Sequence, residues 1–253
     1  MGADKAGEEY WNAVWDSKTL INEIDIEYYT NKLLHELYRR YLPIDGTKTI
    51  VEIGCAFSSY LPYFHKHFGY RINGFDYEPI AVERTKQIYE SMGLEANIYY
   101  RDFFSDKEAE KYDVVTSFGV FEHFENLRGS IAHTKLYIKK GGIIVTLIPN
   151  MNGIIGLLQK SLNQAVYDIH IPYTREDLKD SHEAAGYKTL FCDYYGLYQG
   201  GVVNLSGNRY ENALRKLLAV PGKPLYHFHR LTNIRLDSKY LSPYVIYIGK
   251  LGK

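Results

Sequence analysis

Cysteine is scarce in this chain: only Cys55 and Cys192 occur among 253 residues, far apart and in no metal-ligand spacing. That argues against a disulfide framework and suits a reducing compartment. An excess of charge of either sign is lacking too, since Lys+Arg and Asp+Glu both count 30. A nucleic-acid binder usually carries a basic excess or a basic stripe, so nucleic acid is not the expected partner. The first residues, MGADKAGEEYW, hold no apolar core of a signal peptide, and Ala6 stands where a myristoylation signal wants Ser or Thr. No apolar run is long enough to span a bilayer. The expectation is a cytoplasmic protein without a membrane partner. Also missing is the dinucleotide fingerprint G-x-G-x-x-G: after the strand-like TIVEI its three positions fall on Gly54, Ala56 and Ser59. A nicotinamide cofactor is therefore disfavoured, and the turn at Gly54 needs another explanation.

What is present is an alternation of strand-like and helical stretches. Apolar runs at 49–54, 71–76, 96–102, 112–119 and 142–150 read as strands, and 188–197 and 243–251 as two more. Residues 20–41 carry Ile26, Tyr29, Leu33 and Leu37 at helical spacing before Pro43. The stretch after the second strand has Pro79 in its first turn and Gly93 as a natural C′ residue. Leu127, Ile131 and Ile138 form the expected inner face of a helix before the fifth strand, residues 151–172 read as a long connection, and Thr174 reads as an N-cap. Strands alternating with helices predict an α/β fold with a doubly wound, mostly parallel sheet and helices on both faces. At this length, with no linker or repeat, one domain is expected.

In such a sheet the ligand crevice lies beyond the C-terminal strand ends. The first strand ends at Glu52–Gly54 and the second at Asp76, whose carboxylate can accept hydrogen bonds from both hydroxyls of a ribose. The third ends at Asp102 followed by Phe103 and Phe104, an acceptor beside flat apolar rings, which suits an adenine. Singly, each is as well explained by a turn or a core position. In this order, at successive strand ends, they point to an adenosine-bearing ligand.

At these residues the sequence resembles the class I S-adenosylmethionine-dependent methyltransferases. VEIGCAFSS is similar to their first motif, INGFDYEPIAVERTK to the second, YYRDFF to the third, YDVVTSFGVFEHF to the fourth, and LYIKKGGIIVTLIPN to the turn into strand five. YTREDLKDSHEAAGYKTL matches the helix leading to strand six, so the resemblance spans roughly 48–197 plus a last strand at 243–251. It implies a Rossmann-like α/β/α sandwich of seven strands, the last antiparallel and inserted between the fifth and sixth. It implies S-adenosylmethionine as cofactor. Glu52 would be the acidic residue of the first motif, and Gly54 and Ala56 would lie on the turn near the methionine part. Asp76 would hold the ribose and Tyr77 would cover an adenine face. Asp102 with Phe103 would fix the adenine edge, and Phe118 and Gly119 would supply backbone near the methyl. Ala56 and Ser58 replace the second and third glycines of the pattern. The turn must then avoid positive φ at those two residues.

The resemblance also frames the rest of the chain, read as a single domain 1–253. Residues 1–45 would be an N-terminal helical cap, with Trp11 and Trp15 at i, i+4 forming a lid on the cofactor. Residues 46–197 would be the cofactor-binding core, 198–240 an insert forming the acceptor pocket, and 241–253 the last strand. Candidate acceptor contacts are Phe121, Asn150, Tyr198, Arg209 and Tyr210. Methyl transfer needs a base only for a poorly acidic acceptor, and His123, His170 and Glu122 are placed for that role, though a structural role for each stays open. His227 and His229 have no acidic or cysteine companion, so no metal is expected. The expected acceptor is a small molecule, an oxygen of a sugar or another polar intermediate, and a homodimer is compatible with the chain. The rivals are a non-catalytic binding module for the cofactor or its demethylated product, and a methyltransferase acting on nitrogen or RNA.

Overall fold

A computed structural model of the protein describes residues 4–16, 20–105, 109–232 and 234–252. The strands are β1 (Thr49–Ile53), β2 (Arg71–Asp76), β3 (Ala96–Tyr100), β4 (Tyr112–Phe118), β5 (Ile138–Pro149), β6 (Tyr187–Tyr195) and β7 (Tyr244–Leu251). They form one sheet in the order β3-β2-β1-β4-β5-β7-β6. Pairings among β1 to β5 are parallel, and β7 runs antiparallel to both neighbours, β5 and β6. The order reverses between β1 and β4, which puts the expected ligand crevice beyond their C-terminal ends.

Both faces of the sheet are covered, and the strand sequences show why. Along β7, Ile246 and Ile248 enter one core and Val245 and Tyr247 the other; Val114 and Val115 of β4 divide the same way. Successive side chains point to opposite faces, so a central strand buried on both sides reads as a continuous apolar run. The first core is closed by α2 (Tyr29–Tyr41), α3 (Tyr60–Phe68) and α4 (Pro79–Ser91), through Leu33, Leu37, Phe64, Phe68 and Tyr89. The second is closed by α5 (Leu127–His133) and α8 (Arg175–Ala184), through Leu127, Ile131 and Leu178. The Thr174 cap is present as a full capping box with Asp177.

Three local expectations change. The helix expected from residue 20 begins at Tyr29, because Asp25 ties the preceding chain into a turn: its carboxylate accepts from Glu27 N–H at 2.9 Å. Ile138 is the first residue of β5, paired with Tyr112, not the end of a helix face. Gly141, at φ +76°, lets the strand shift register and continue where the glycine pair suggested a start. The connection at 151–172 contains two helices, α6 (Ile154–Leu162) and α7 (Gln164–Asp168). A further helix, α1 (Gly7–Asp16), lies near the start, and α9 (Glu211–Ala219) and α10 (Gly222–Thr232) lie in the insert. Among the described residues, no helix is long and apolar enough to cross a membrane.

Candidate active site

A cavity of about 750 Å³ opens at the C-terminal ends of β1, β2 and β4, and the described residues that wall it lie between Asp4 and Phe124. Its floor is the turn after β1. Gly54 sits at φ +72°, and a Cβ there would stand 2.5 Å from Val120 Cγ2, so no side chain fits. Ala56 and Ser58 stay out of the left-handed region as expected; the turn is made instead at Phe57, φ +51°. A non-glycine residue in that region is uncommon and marks local strain. It is held by its N–H, which donates to Thr85 Oγ1 at 2.9 Å, and by stacking of Trp15 on the ring at 5.5 Å. Ser58 turns its hydroxyl onto Glu52 Oε2 at 2.7 Å. The residue that replaces a glycine therefore partners the buried carboxylate.

Two carboxylates are buried at adjacent strand ends. Asp76, 8% exposed, accepts from the N–H groups of Ala56 at 3.0 Å and Glu78 at 3.1 Å. Burial nevertheless raises its pKa to about 6. Glu52, 3% exposed, is pushed up to about 8 by burial, against the Ser58 hydrogen bond. Two carboxyls kept reluctant to ionise beside an open cavity suit a cationic ligand whose arrival favours their charged form. Aromatic rings make the walls: Tyr60 stacks on Phe118 at 4.0 Å, and Phe103 and Phe104 meet edge to face at 4.8 Å.

The helix α1 closes one side. Trp11 stacks on Trp15 at 5.8 Å and meets the His123 ring edge-on at 5.3 Å. Asp4 joins the lid to the floor, its Oδ2 accepting from Trp11 Nε1 at 2.9 Å and from the Tyr77 hydroxyl at 2.8 Å. The Trp15 carbonyl accepts from Arg84 Nη1 of α4 at 3.0 Å. Nothing in the local sequence marks Asp4, because its role depends on bringing β2 and the N-terminus together.

A family model described as "Methyltransferase domain" matches residues 26–190. The chain is a class I S-adenosylmethionine-dependent methyltransferase. Comparison of the sequence with curated proteins gives no match. Among solved structures, it is similar in fold to a putative sarcosine dimethylglycine methyltransferase from Galdieria sulphuraria, at a TM-score of 0.61 and 12% identity over 99% of each chain. It is similar to geranyl diphosphate C-methyltransferase from Streptomyces coelicolor A3(2), solved with Mg2+, geranyl diphosphate and S-adenosyl-L-homocysteine, at a TM-score of 0.58 and 12% identity over 87% of this chain and 77% of that one. The [4+2]-cyclase SpnF has the fold as well, at a TM-score of 0.59 and 16% identity over 98% of this chain and 93% of that one.

In this methyltransferase the residues present fit the cofactor. The cavity is in the range of small-molecule sites, roughly 300–1,000 Å³, and brings together Trp11, Trp15, Glu52, Gly54, Ala56, Asp76, Tyr77, Asp102, Phe103, Phe118 and Gly119. The Gly119 N–H is committed to the Leu147 carbonyl at 2.9 Å. Phe57, Tyr60 and Arg101 line the same space and were not singled out from the sequence.

The acceptor candidates are placed elsewhere. Phe121 is fully buried in the core under α5 and α8. Asn150 is buried, its Nδ2 donating to the carbonyls of Lys239 and Ser242 at 2.9 Å each, which braces the entry to β7. Tyr198 packs in the small core between α6 and α9, and Arg209 lies over the exposed Tyr210 ring at 4.6 Å. Among the described residues of the 198–240 insert, none lines this cavity.

Of the three base candidates, His123 reaches the cavity wall, whereas Glu122 and His170 stand behind it. His123 Nδ1 lies 2.9 Å from the Ile169 carbonyl, and burial lowers its pKa. Burial, helped by the neighbouring His123, lowers that of His170 to about 4. Glu122, 1% exposed, is raised to about 8 by burial.

Proposed function

We propose that the protein methylates an oxygen of a small polar acceptor, a sugar hydroxyl or a similar group, bound in the cavity beside the cofactor. The observation that supports this reading is the position of His123. Its Nδ1 faces a carbonyl, which can only accept, so Nδ1 carries a proton. Burial lowers the ring's pKa and favours the neutral form with a bare Nε2, and the same ring stands in the cavity wall. A neutral imidazole there can take a hydroxyl proton.

S-adenosylmethionine, when bound, supplies an electrophilic methyl group on a cationic sulfur. The chain's own residues bind, orient and exclude water. Asp76 is the acceptor for a ribose diol, and Glu52 faces the cationic end as a carboxyl that ionises when a positive charge arrives. The rings of Phe103, Phe104 and Tyr77 take a flat base, and Trp11 and Trp15 keep bulk water out.

Incubation with the cofactor and a panel of sugars and nucleotide sugars, followed by mass spectrometry, should show an acceptor that gains one methyl group. In His123→Ala, S-adenosylhomocysteine binding should stay close to wild type while turnover falls by about a hundredfold. Equal turnover would remove the base assignment. Binding of the adenosyl ligands with no turnover on any acceptor would favour the binding-module rival.

A further inference from the structure

The same histidine belongs to a cluster that the methyl-transfer reading does not require. Glu122, His123 and His170 offer ligand atoms that all lie within 4.8 Å of one another; Glu122 and His123 are buried and His170 is half-buried. The imidazole centroids are 4.6 Å apart with planes at 55°. Each ring has Nδ1 at a backbone carbonyl: His123 at Ile169, 2.9 Å, and His170 at Val166, 2.6 Å. A carbonyl cannot donate, so both Nδ1 atoms carry a proton, and in the neutral form of each ring the lone pair is then on Nε2. Metal-bound histidines are commonly fixed in their tautomer by just such a bond from the other ring nitrogen.

The carboxylate adds a second, independent sign. Among the described residues, Glu122 Oε2 is buried with no hydrogen-bond partner. An unsatisfied buried carboxylate oxygen is costly, and such groups are normally paired or bound to a cation. The two segments that carry the three side chains are also joined: Ile171 N–H donates to the Glu122 carbonyl at 2.8 Å, parallel to the His123–Ile169 bond. The turn after β4 and the segment after α7 thus hold the donor set in place without help from a ligand.

We propose that Glu122, His123 and His170 form a divalent transition-metal site at the wall of the cofactor cavity. Two neutral imidazoles and one carboxylate suit Zn2+ or Fe2+, whereas Mg2+ and Ca2+ prefer oxygen donors throughout. Neither thiol competes: Cys55 is buried between β1 and α3, and Cys192 lies on β6. Three protein ligands leave at least one coordination position open, as in catalytic zinc sites. Because His123 stands in the cavity wall, an acceptor hydroxyl can reach that position, where a cation lowers its pKa so that the proton passes to solvent and the oxygen is left nucleophilic. In this use the His123 Nε2 lone pair is on the metal, and the metal replaces the imidazole as the activating group. This catalytic use rests on the oxygen-acceptor reading; the metal binding does not.

The test is titration of the full chain, freed of metal by a chelator and without cofactor, with Zn2+ and separately with Mg2+. One Zn2+ per chain should bind with micromolar or tighter affinity, and Mg2+ should bind at least about a hundredfold more weakly. Glu122→Gln, of the same shape, and His170→Ala should each weaken Zn2+ by about a hundredfold or more. Thermal unfolding of the metal-free variants establishes that they fold. Should His170→Ala not fold, Glu122→Gln and the visible spectrum of the Co2+-loaded wild type, intense for a tetrahedral site, decide. Absence of stoichiometric Zn2+ binding by the wild type, or wild-type affinity in Glu122→Gln, would overturn the site. A wild type that binds Zn2+ yet methylates no oxygen acceptor would overturn only the proposed use.

Discussion

Asp76 is the proposed ribose acceptor of the cavity. Its two oxygens already hold the N–H groups of Ala56 and Glu78, so the carboxylate is oriented before any ligand arrives. Asp76→Ala should weaken S-adenosylhomocysteine binding by about tenfold or more, through loss of charge-assisted hydrogen bonds. Calorimetry on the folded variant checks it, and unchanged affinity would remove the ribose assignment. The raised pKa adds a pH signature. Acceptance from a diol needs the ionised form, so wild-type affinity should fall as the pH drops below about 6. Asp76→Asn should lose that dependence. Gly54 was legible in the sequence as a turn glycine; that its Cβ would strike Val120 was not, because Val120 arrives from β4.

At the scale of elements, α1 decides whether the cavity is a groove or a closed site. Its two tryptophans form a ladder with Phe57, so the lid rests on the one left-handed, non-glycine residue of the described turn. Ring contacts of this kind are worth about 0.5–1.5 kcal/mol beyond their buried area. Trp15→Ala should therefore loosen S-adenosylhomocysteine by about three- to tenfold, mainly through faster dissociation in stopped flow. A drop in melting temperature with unchanged dissociation would make α1 a packing element only. The i, i+4 spacing of Trp11 and Trp15 was enough to predict that they share a face. Which surface that face meets depends on Asp4 bonding Tyr77 and on Arg84 bonding the Trp15 carbonyl, contacts across about 70 residues of chain. The insert is a different case: residues 198–240 were expected to form the acceptor pocket, and none of its described residues is in the wall of this cavity.

For the molecule as a whole, the buried carboxyl of Glu52 links the cavity to stability. Burial holds its pKa at about 8 in the folded state against 4.5 ordinarily, so the folded protein keeps a proton that the unfolded chain sheds. That contribution is fully present below about pH 4.5 and is lost as the pH rises towards 8. Relative to Glu52→Gln, the cofactor-free wild type should lose stability across this window, by at most roughly 1.4 kcal/mol per pH unit. Denaturant melts at several pH values measure it, and parallel curves for the two proteins would sink the idea. Natural selection for binding would explain such a cost, since active sites concentrate perturbed groups at the expense of the scaffold.

The sheet and its ligand edge were written in local pattern. Continuous apolar runs, helix stops at Pro and Gly, and acidic residues at successive strand ends each depend on neighbours within a few positions, so the sequence by itself determined the α/β architecture and the carboxylates that line the cavity. Residues 151–172 escaped because short helices stabilised by packing carry weak local signals. Only the tertiary structure decided the rest. It joined Asp4 to Tyr77, committed Asn150 to the β7 entry, and brought His170 from beyond α7 against Glu122 and His123. Those groups are remote along the chain, and their meeting is fixed by how the sheet and its crossovers pack, a long-range property that no short window of sequence contains.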